Sequence, residues 1–139
     1  MIIVLGVGNE MKGDDGVGPY VAKKVKQTDQ LVAIDTSTAP ENFFGKIEEL
    51  KPDKLIVVDA IDFGGNPGET RVVDTAKLDR RAQSTHNMPI RLLIDILKIS
   101  AVFVGIQIRQ NVIGEGLSPE VKAAADALVK KLNSGAAIS

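Results

Sequence analysis

The chain has 139 residues, with 17 Lys and Arg against 18 Asp and Glu, so its formal net charge is -1. This length fits one ordinary domain with a sizeable core, and the charge gives no general electrostatic reason to bind nucleic acid or an acidic membrane. The lack of cysteine excludes disulfides, thiolate catalysis and thiolate zinc sites. We therefore expect a cytoplasmic protein with a single domain over residues 1–133 and a frayed tail over residues 134–139.

Short branched-aliphatic runs alternate along the chain with segments of helical periodicity. Residues 1–7 are continuously apolar, which is typical of a strand covered on both faces, and they are too few for a signal or membrane segment. The spacing of Val17, Val21 and Val25 then predicts a helix. The later predicted elements are a strand at 31–34, a helix at 40–50, a strand at 55–61, a turn at 64–68, an edge strand at 70–73, a helix at 90–97, a strand at 101–108 and a helix opened by Ser118 and Pro119.

This alternation of strands and helices indicates the fold class. Right-handed crossovers place helices on both faces of a parallel sheet, so the prediction is an α/β, three-layer helix-sheet-helix sandwich with a mostly parallel central sheet. In such folds, ligands bind beyond the carboxyl ends of the strands. The residues that follow the strands are therefore the first candidates for a functional site.

A glycine-rich turn follows the first strand. It begins like a dinucleotide fingerprint, but Met11 stands where the third glycine would pack helix against strand. Asp14 and Asp15 occupy the positions of the Lys and the Ser or Thr of a phosphate-binding loop, which inverts the charge. A nucleotide-binding module is therefore the weaker alternative. One of the two aspartates is expected to cap the next helix, and Asp15 is the candidate ligand.

Two further residues could complete a site with Asp15. Asp59 ends the third strand, where it would meet the first loop, although such an aspartate can also bond nearby amides. His86, the only histidine, precedes a predicted helix, although a lone histidine can equally be a solvated loop residue. Two carboxylates and an imidazole could bind a borderline divalent ion, or they could act as acid and base in catalysis. These residue types alone therefore do not show whether the site binds a metal or carries out a reaction. Asp62 is expected to be a turn residue.

Ordered blocks across most of the chain resemble the hydrogenase maturation endopeptidases. These blocks are Gly6-Val7-Gly8-Asn9, Gly13-Asp14-Asp15-Gly16-Val17-Gly18-Pro19, Ala39-Pro40-Glu41-Asn42, Ile56-Val57-Val58-Asp59-Ala60, Asn66-Pro67-Gly68-Glu69 and Thr85-His86-Asn87-Met88-Pro89. The chain looks closest to the branch that processes the large subunit of formate hydrogenlyase-type hydrogenases (hydrogenase 3). The resemblance implies a cytoplasmic peptidase that removes the C-terminal extension of a nickel-loaded large-subunit precursor of a nickel-iron hydrogenase. The implied cut follows a basic residue near the last metal-binding cysteine motif.

The resemblance also implies roles for the candidate residues. Asp15, Asp59 and His86 match the positions that engage the nickel of the substrate, so they are expected to be both catalytic and metal-binding, with nickel supplied by the substrate. The expected partner is the precursor, without nucleic acid or membrane, and the sequence leaves the oligomeric state open. The block Gln107-Ile108-Arg109-Gln110 departs from the pattern of close relatives, which bears on substrate preference. A non-catalytic, nickel-recognising maturation scaffold stays an alternative, because a ligand trio can bind metal without cutting a peptide.

Overall fold

The computed structural model describes residues 1–74 and 87–138. Across these residues the chain forms five strands and four α-helices. The strands are β1 (Ile2–Val7), β2 (Leu31–Ser37), β3 (Lys54–Ile61), β4 (Thr70–Asp74) and β5 (Ser100–Gln107), and the helices are α1 (Val17–Lys24), α2 (Phe44–Leu50), α3 (Asn87–Leu97) and α4 (Pro119–Asn133). Short 3-10 turns at Gly13–Gly16 and Pro40–Phe43 precede α1 and α2. None of the helices in the described ranges is long and apolar enough to cross a membrane.

The five strands form one sheet in the order β2-β1-β3-β5-β4. All neighbouring strands are parallel except β4, which pairs antiparallel with β5 at the edge. The predicted sandwich and its edge strand are confirmed. From β1 the chain moves to β2 on one side, and it then crosses over to β3 on the other side. The carboxyl ends of β1 and β3 therefore flank a topological switch point, where open α/β sheets place their ligands.

Each face of the sheet has its own hydrophobic core. On one face α1 and α4 pack against Val4, Ile56 and Val104, and on the other face α2 and α3 pack against a second set that includes Leu55. The two sets alternate along each strand because successive side chains point to opposite faces. By this alternation Asp59 lies on the same face as Leu55, the face that α2 and α3 cover.

Strand β2 is longer than the sequence pattern predicts. The apolar run ends at Ile34, whereas the strand continues through three polar residues to Ser37. One of them, Thr36, is buried, and its hydroxyl donates to the carbonyl oxygen of Gly6 at 3.0 Å. This bond satisfies the hydroxyl of a buried polar side chain. A run of apolar residues therefore does not reveal where this strand ends.

The end of the chain differs from the expected frayed tail over residues 134–139. Helix α4 ends in a left-handed turn at Gly135 (φ 75°), and the N–H groups of Gly135 and Ala136 donate to carbonyls in its last turn. These two bonds form the Schellman arrangement that commonly closes a helix. Ile138 is only 5% exposed and packs into the core beneath α1 and α4. The expectation of fraying is therefore wrong at Ile138.

Gly18 lets α1 approach the sheet closely. A methyl group at this position would lie 2.3 Å from the carbonyl oxygen of Val7 and 2.5 Å from that of Val58. Gly18→Ala should therefore push α1 away from the sheet and lower the free energy of unfolding by about 1–3 kcal/mol. Gly45→Ala in α2 is the matched control, because its methyl group meets nothing within 4 Å.

Urea denaturation of both glycine variants measures this difference. Alanine is the better helix former, so Gly45→Ala should raise the free energy of unfolding by up to about 1 kcal/mol. The two substitutions should thus change the free energy of unfolding in opposite directions. A Gly18→Ala protein as stable as the unmodified chain would contradict the close packing of α1 on the sheet.

Candidate active site

The loop after β1 crosses the carboxyl edge of the sheet and carries Asp15. Its 3-10 turn, Gly13–Gly16, contacts β3. Gly8 has a φ of 143°, and a methyl group there would lie only 2.0 Å from the carbonyl oxygen of Asp15. Only glycine fits a backbone approach this close at a φ of this sign. The loop therefore folds back over the end of β1 and holds Asp15 near the switch point.

The side chain of Asp15 is partly buried and is oriented by the backbone. The N–H of Asn9 donates to Asp15 Oδ2 at 2.8 Å, and Asn9 Oδ1 accepts from the N–H of Met11 at 2.9 Å. Asn9 thus fixes the loop and the carboxylate together. Within the part of the chain that the structure describes, the Asp15 carboxylate accepts one hydrogen bond, the one from the N–H of Asn9.

Asp59 is the third residue from the end of the neighbouring strand β3. The strand register pairs Asp59 with Val7, the last residue of β1. Because Val7 leads directly into the loop of Asp15, the two aspartates lie at the carboxyl ends of adjacent strands. Asp59 is 1% exposed. A buried carboxylate needs partners that offset its loss of hydration, and one that lies at a ligand-binding edge is a candidate functional residue.

His86 lies outside the described residues, and the three-residue site that includes it stays a prediction. Helix α3 begins at the next residue, Asn87, and leads into the amino end of β5. The first turn of α3 therefore lies at the carboxyl edge of the sheet, on the face of Asp59. Among residues 1–74 and 87–138, no group of three or more His, Cys, Asp or Glu side chains is arranged to hold a metal ion.

Asp14 is completely buried between the loop of Asp15 and the loop that follows β5. Its carboxylate accepts four hydrogen bonds: from the N–H groups of Arg109 (2.8 Å), Gln110 (3.1 Å) and Ser118 (2.6 Å), and from the hydroxyl of Ser118 (2.7 Å). Burial raises the pKa of Asp14, but these bonds, first those from Ser118, outweigh burial and hold the pKa below its ordinary value. The N-cap residue of α1 is Gly16, so the prediction that one aspartate caps this helix is wrong.

Asp14 joins two loops that are distant in sequence. The loop over residues 109–118 pairs with the loop of Asp15 through an antiparallel bridge between Lys12 and Ile113. Ser118 is the N-cap residue of α4, as the sequence predicts, but its side chain makes no cap bond and instead binds Asp14. Sequence reasoning missed this role, because the partners lie 104 positions apart and Ser118 alone suggests an ordinary cap.

The stability of Asp14 variants tests this role. Asp14→Ala leaves three N–H groups and a hydroxyl without their acceptor, so it should lower the free energy of unfolding by about 3–5 kcal/mol. Ser118→Ala removes a single hydroxyl donor and should cost about 1 kcal/mol. Urea denaturation at neutral pH compares the two variants. Similar small losses in both would show that Asp14 does not hold the two loops together.

Gln107, from the block that departs from the family pattern, orders the turn after β3. Its side-chain carbonyl accepts from the N–H groups of Phe63 (2.8 Å) and Gly65 (3.2 Å), and its amide donates to Asp62 Oδ1 at 3.1 Å. Asp62 Oδ1 also accepts from the N–H of Gly64 at 3.1 Å, so the predicted turn role of Asp62 is confirmed. The bonds from Gln107 and Gly64 hold the pKa of Asp62 below its ordinary value.

Known proteins are similar to this chain in both sequence and fold. The family model described as hydrogenase maturation protease matches residues 17–134. Hydrogenase 3 maturation protease of Escherichia coli K12 is 45% identical over 111 residues, which cover 76% of this chain and 71% of that protein. The crystal structure of the nickel-iron hydrogenase maturation protease HycI of Thermococcus kodakarensis matches with a TM-score of 0.85 and 33% identity, over 96% of this chain and 90% of that chain. The solution structure of the endopeptidase HycI of Escherichia coli matches with a TM-score of 0.83 and 38% identity, over the same shares of the two chains.

Proposed function

The chain belongs to the hydrogenase maturation protease family and is a peptidase, and we propose that it removes the C-terminal extension of a nickel-loaded large-subunit precursor of a nickel-iron hydrogenase. The proposed cut follows a basic residue near the last metal-binding cysteine motif of the precursor, and the reaction takes place in the cytoplasm. The similarity to the hydrogenase 3 maturation protease of Escherichia coli favours a precursor of the hydrogenase 3 type. In this proposal nickel is part of the substrate.

The positions of Asp15 and Asp59 support this proposal most strongly. They bring two carboxylates to the ends of adjacent strands, at the edge where α3 also begins. Carboxylate oxygens and the imidazole of His86 would form a ligand set with positions left open for the ligands of the substrate. Asp15, Asp59 and His86 are thus proposed to bind the nickel of the precursor and to align the scissile peptide bond.

Incubation of the purified protein with a nickel-loaded precursor tests the reaction directly. Mass spectrometry should show the precursor shortened by its C-terminal extension, and the new terminus should be a basic residue. A complex that forms without any change in precursor mass would instead favour the non-catalytic scaffold. A new terminus at another residue type would correct the proposed cleavage rule while keeping the reaction.

A further inference from the structure

Three strongly exposed apolar side chains lie together beside the Asp15 loop. Met11 is 67% exposed, Val112 54% and Ile113 78%, and we name these three residues the apolar rim. They are neighbours because Ile113 bridges to Lys12 and because the N–H of Gly114 donates to the carbonyl oxygen of Met11 at 3.0 Å. Clustered apolar side chains exposed to water typically mark a surface that binds a partner.

The hydrogen bonds of its two loops hold the apolar rim in place. Gln110 Oε1 accepts from the N–H of Val112 at 2.8 Å, and Gln110 Nε2 donates to the carbonyl oxygen of Gly116 at 3.0 Å. The buried carboxylate of Asp14 fixes both ends of the same loop through Arg109 and Ser118. A surface that is already ordered loses little conformational entropy when a partner binds, so more of the contact energy appears as affinity.

The apolar rim is continuous with the candidate active site. Asn9 donates to the carboxylate of Asp15 and accepts from the N–H of Met11, so one residue connects the site to the rim. A substrate bound at Asp15 therefore lies next to Met11 and Ile113. We propose that the apolar rim binds an apolar segment of the precursor and thereby contributes to substrate choice, an inference that rests on the proposed function.

Two isoleucine-to-serine substitutions form a matched pair for testing the rim. Ile113→Ser removes the most exposed rim side chain, and Ile96→Ser removes an isoleucine of α3 that is 65% exposed. Helix α3 begins at the carboxyl edge, and Ile96 lies nine residues farther along, about 14 Å down the helix axis. It therefore lies toward the opposite edge of the sheet. Both substitutions make the same chemical change at a strongly exposed isoleucine, and neither residue is part of a hydrophobic core.

We expect Ile113→Ser to lower kcat/KM for the nickel-loaded precursor about tenfold, because the side chain loses its apolar contact with the substrate. The kcat at saturating precursor and the thermal midpoint should stay unchanged. Ile113→Leu should keep most of the kcat/KM of the unmodified protein, since leucine keeps an apolar side chain at this position. Ile96→Ser should behave like the unmodified protein in all three measurements.

An unchanged kcat/KM in Ile113→Ser, or an equal loss in Ile96→Ser, would overturn the proposed role of the rim. Calorimetry of the unmodified protein and of Ile113→Ser with the same precursor measures binding apart from cleavage. It therefore distinguishes a failure of the rim proposal from a failure of the proposed function. If the unmodified protein binds the precursor but does not shorten it, the proposed cleavage of this precursor fails, and weaker binding by Ile113→Ser would still support the rim. Equal binding by the two proteins would overturn the rim whether or not cleavage occurs.

Discussion

The nickel-loaded precursor should be shortened on the order of 100-fold faster than the nickel-free precursor at matched concentration. The proposed ligands Asp15, Asp59 and His86 form an incomplete set that the nickel and the ligands of the substrate complete. Without nickel these contacts are absent, although the scissile peptide bond is chemically unchanged, and the binding free energy falls accordingly. Mass spectra taken over time measure the two rates.

Asp59→Asn provides the control for this nickel dependence. If the carboxylate acts through nickel, the difference between the two precursors should largely vanish in this variant. Equal and efficient cleavage of both precursors by the unmodified protein would refute the shared-nickel mechanism. The assignment as a protease would survive that result, because it does not depend on where the recognition energy originates.

Asp59→Asn should also lower kcat/KM for the nickel-loaded precursor on the order of 100-fold or more. The amide preserves the shape of the side chain but removes its negative charge, which a cation ligand needs. Asp15→Asn and His86→Ala should act in the same direction. Asp62→Asn is the matched control, since Asp62 is an exposed turn residue three positions farther along that is expected to take no part in the reaction.

Thermal unfolding distinguishes a functional role of Asp59 from a structural one. We expect Asp59→Asn to lose far more activity than stability, because the substitution keeps the packing at the end of β3. Asp62→Asn should keep both activity and thermal midpoint close to those of the unmodified protein. A parallel loss of activity and stability in the Asp15, Asp59 and His86 variants would instead favour structural roles for all three.

The main features of the fold follow from local sequence patterns. The apolar runs that became β1 and β3 predicted buried parallel strands, and the helix predicted at 40–50 has the same last residue as α2. Strand β2 was underestimated because its last residues are polar, and Thr36 is satisfied by a carbonyl that only the folded sheet supplies. The helix end at Gly135 could have been predicted, since glycine after a helix favours a left-handed turn. The burial of Ile138 could not, because it depends on tertiary packing.

The candidate site was predictable only in part. The position of Asp15 and Asp59 after strands predicted that they share the carboxyl edge, and the strand order places β1 beside β3. The role of Asp14 could not be read from the sequence, since its partners Arg109 and Ser118 belong to a distant loop. The trio that includes His86 stays a prediction, because His86 lies outside the described residues.

The buried hydrogen bonds of Asp14 have a consequence for how this scaffold can change its target. The bonds to Asp14 come from three backbone N–H groups and one serine hydroxyl, and none uses a side chain of the apolar rim. Exposed residues such as Val112 and Ile113 can therefore be exchanged while the frame beneath them stays intact. Most substitutions on such a surface cost little stability. Under the proposed role of the apolar rim, substitutions at these positions would change the precursor that is bound without altering the fold beneath them.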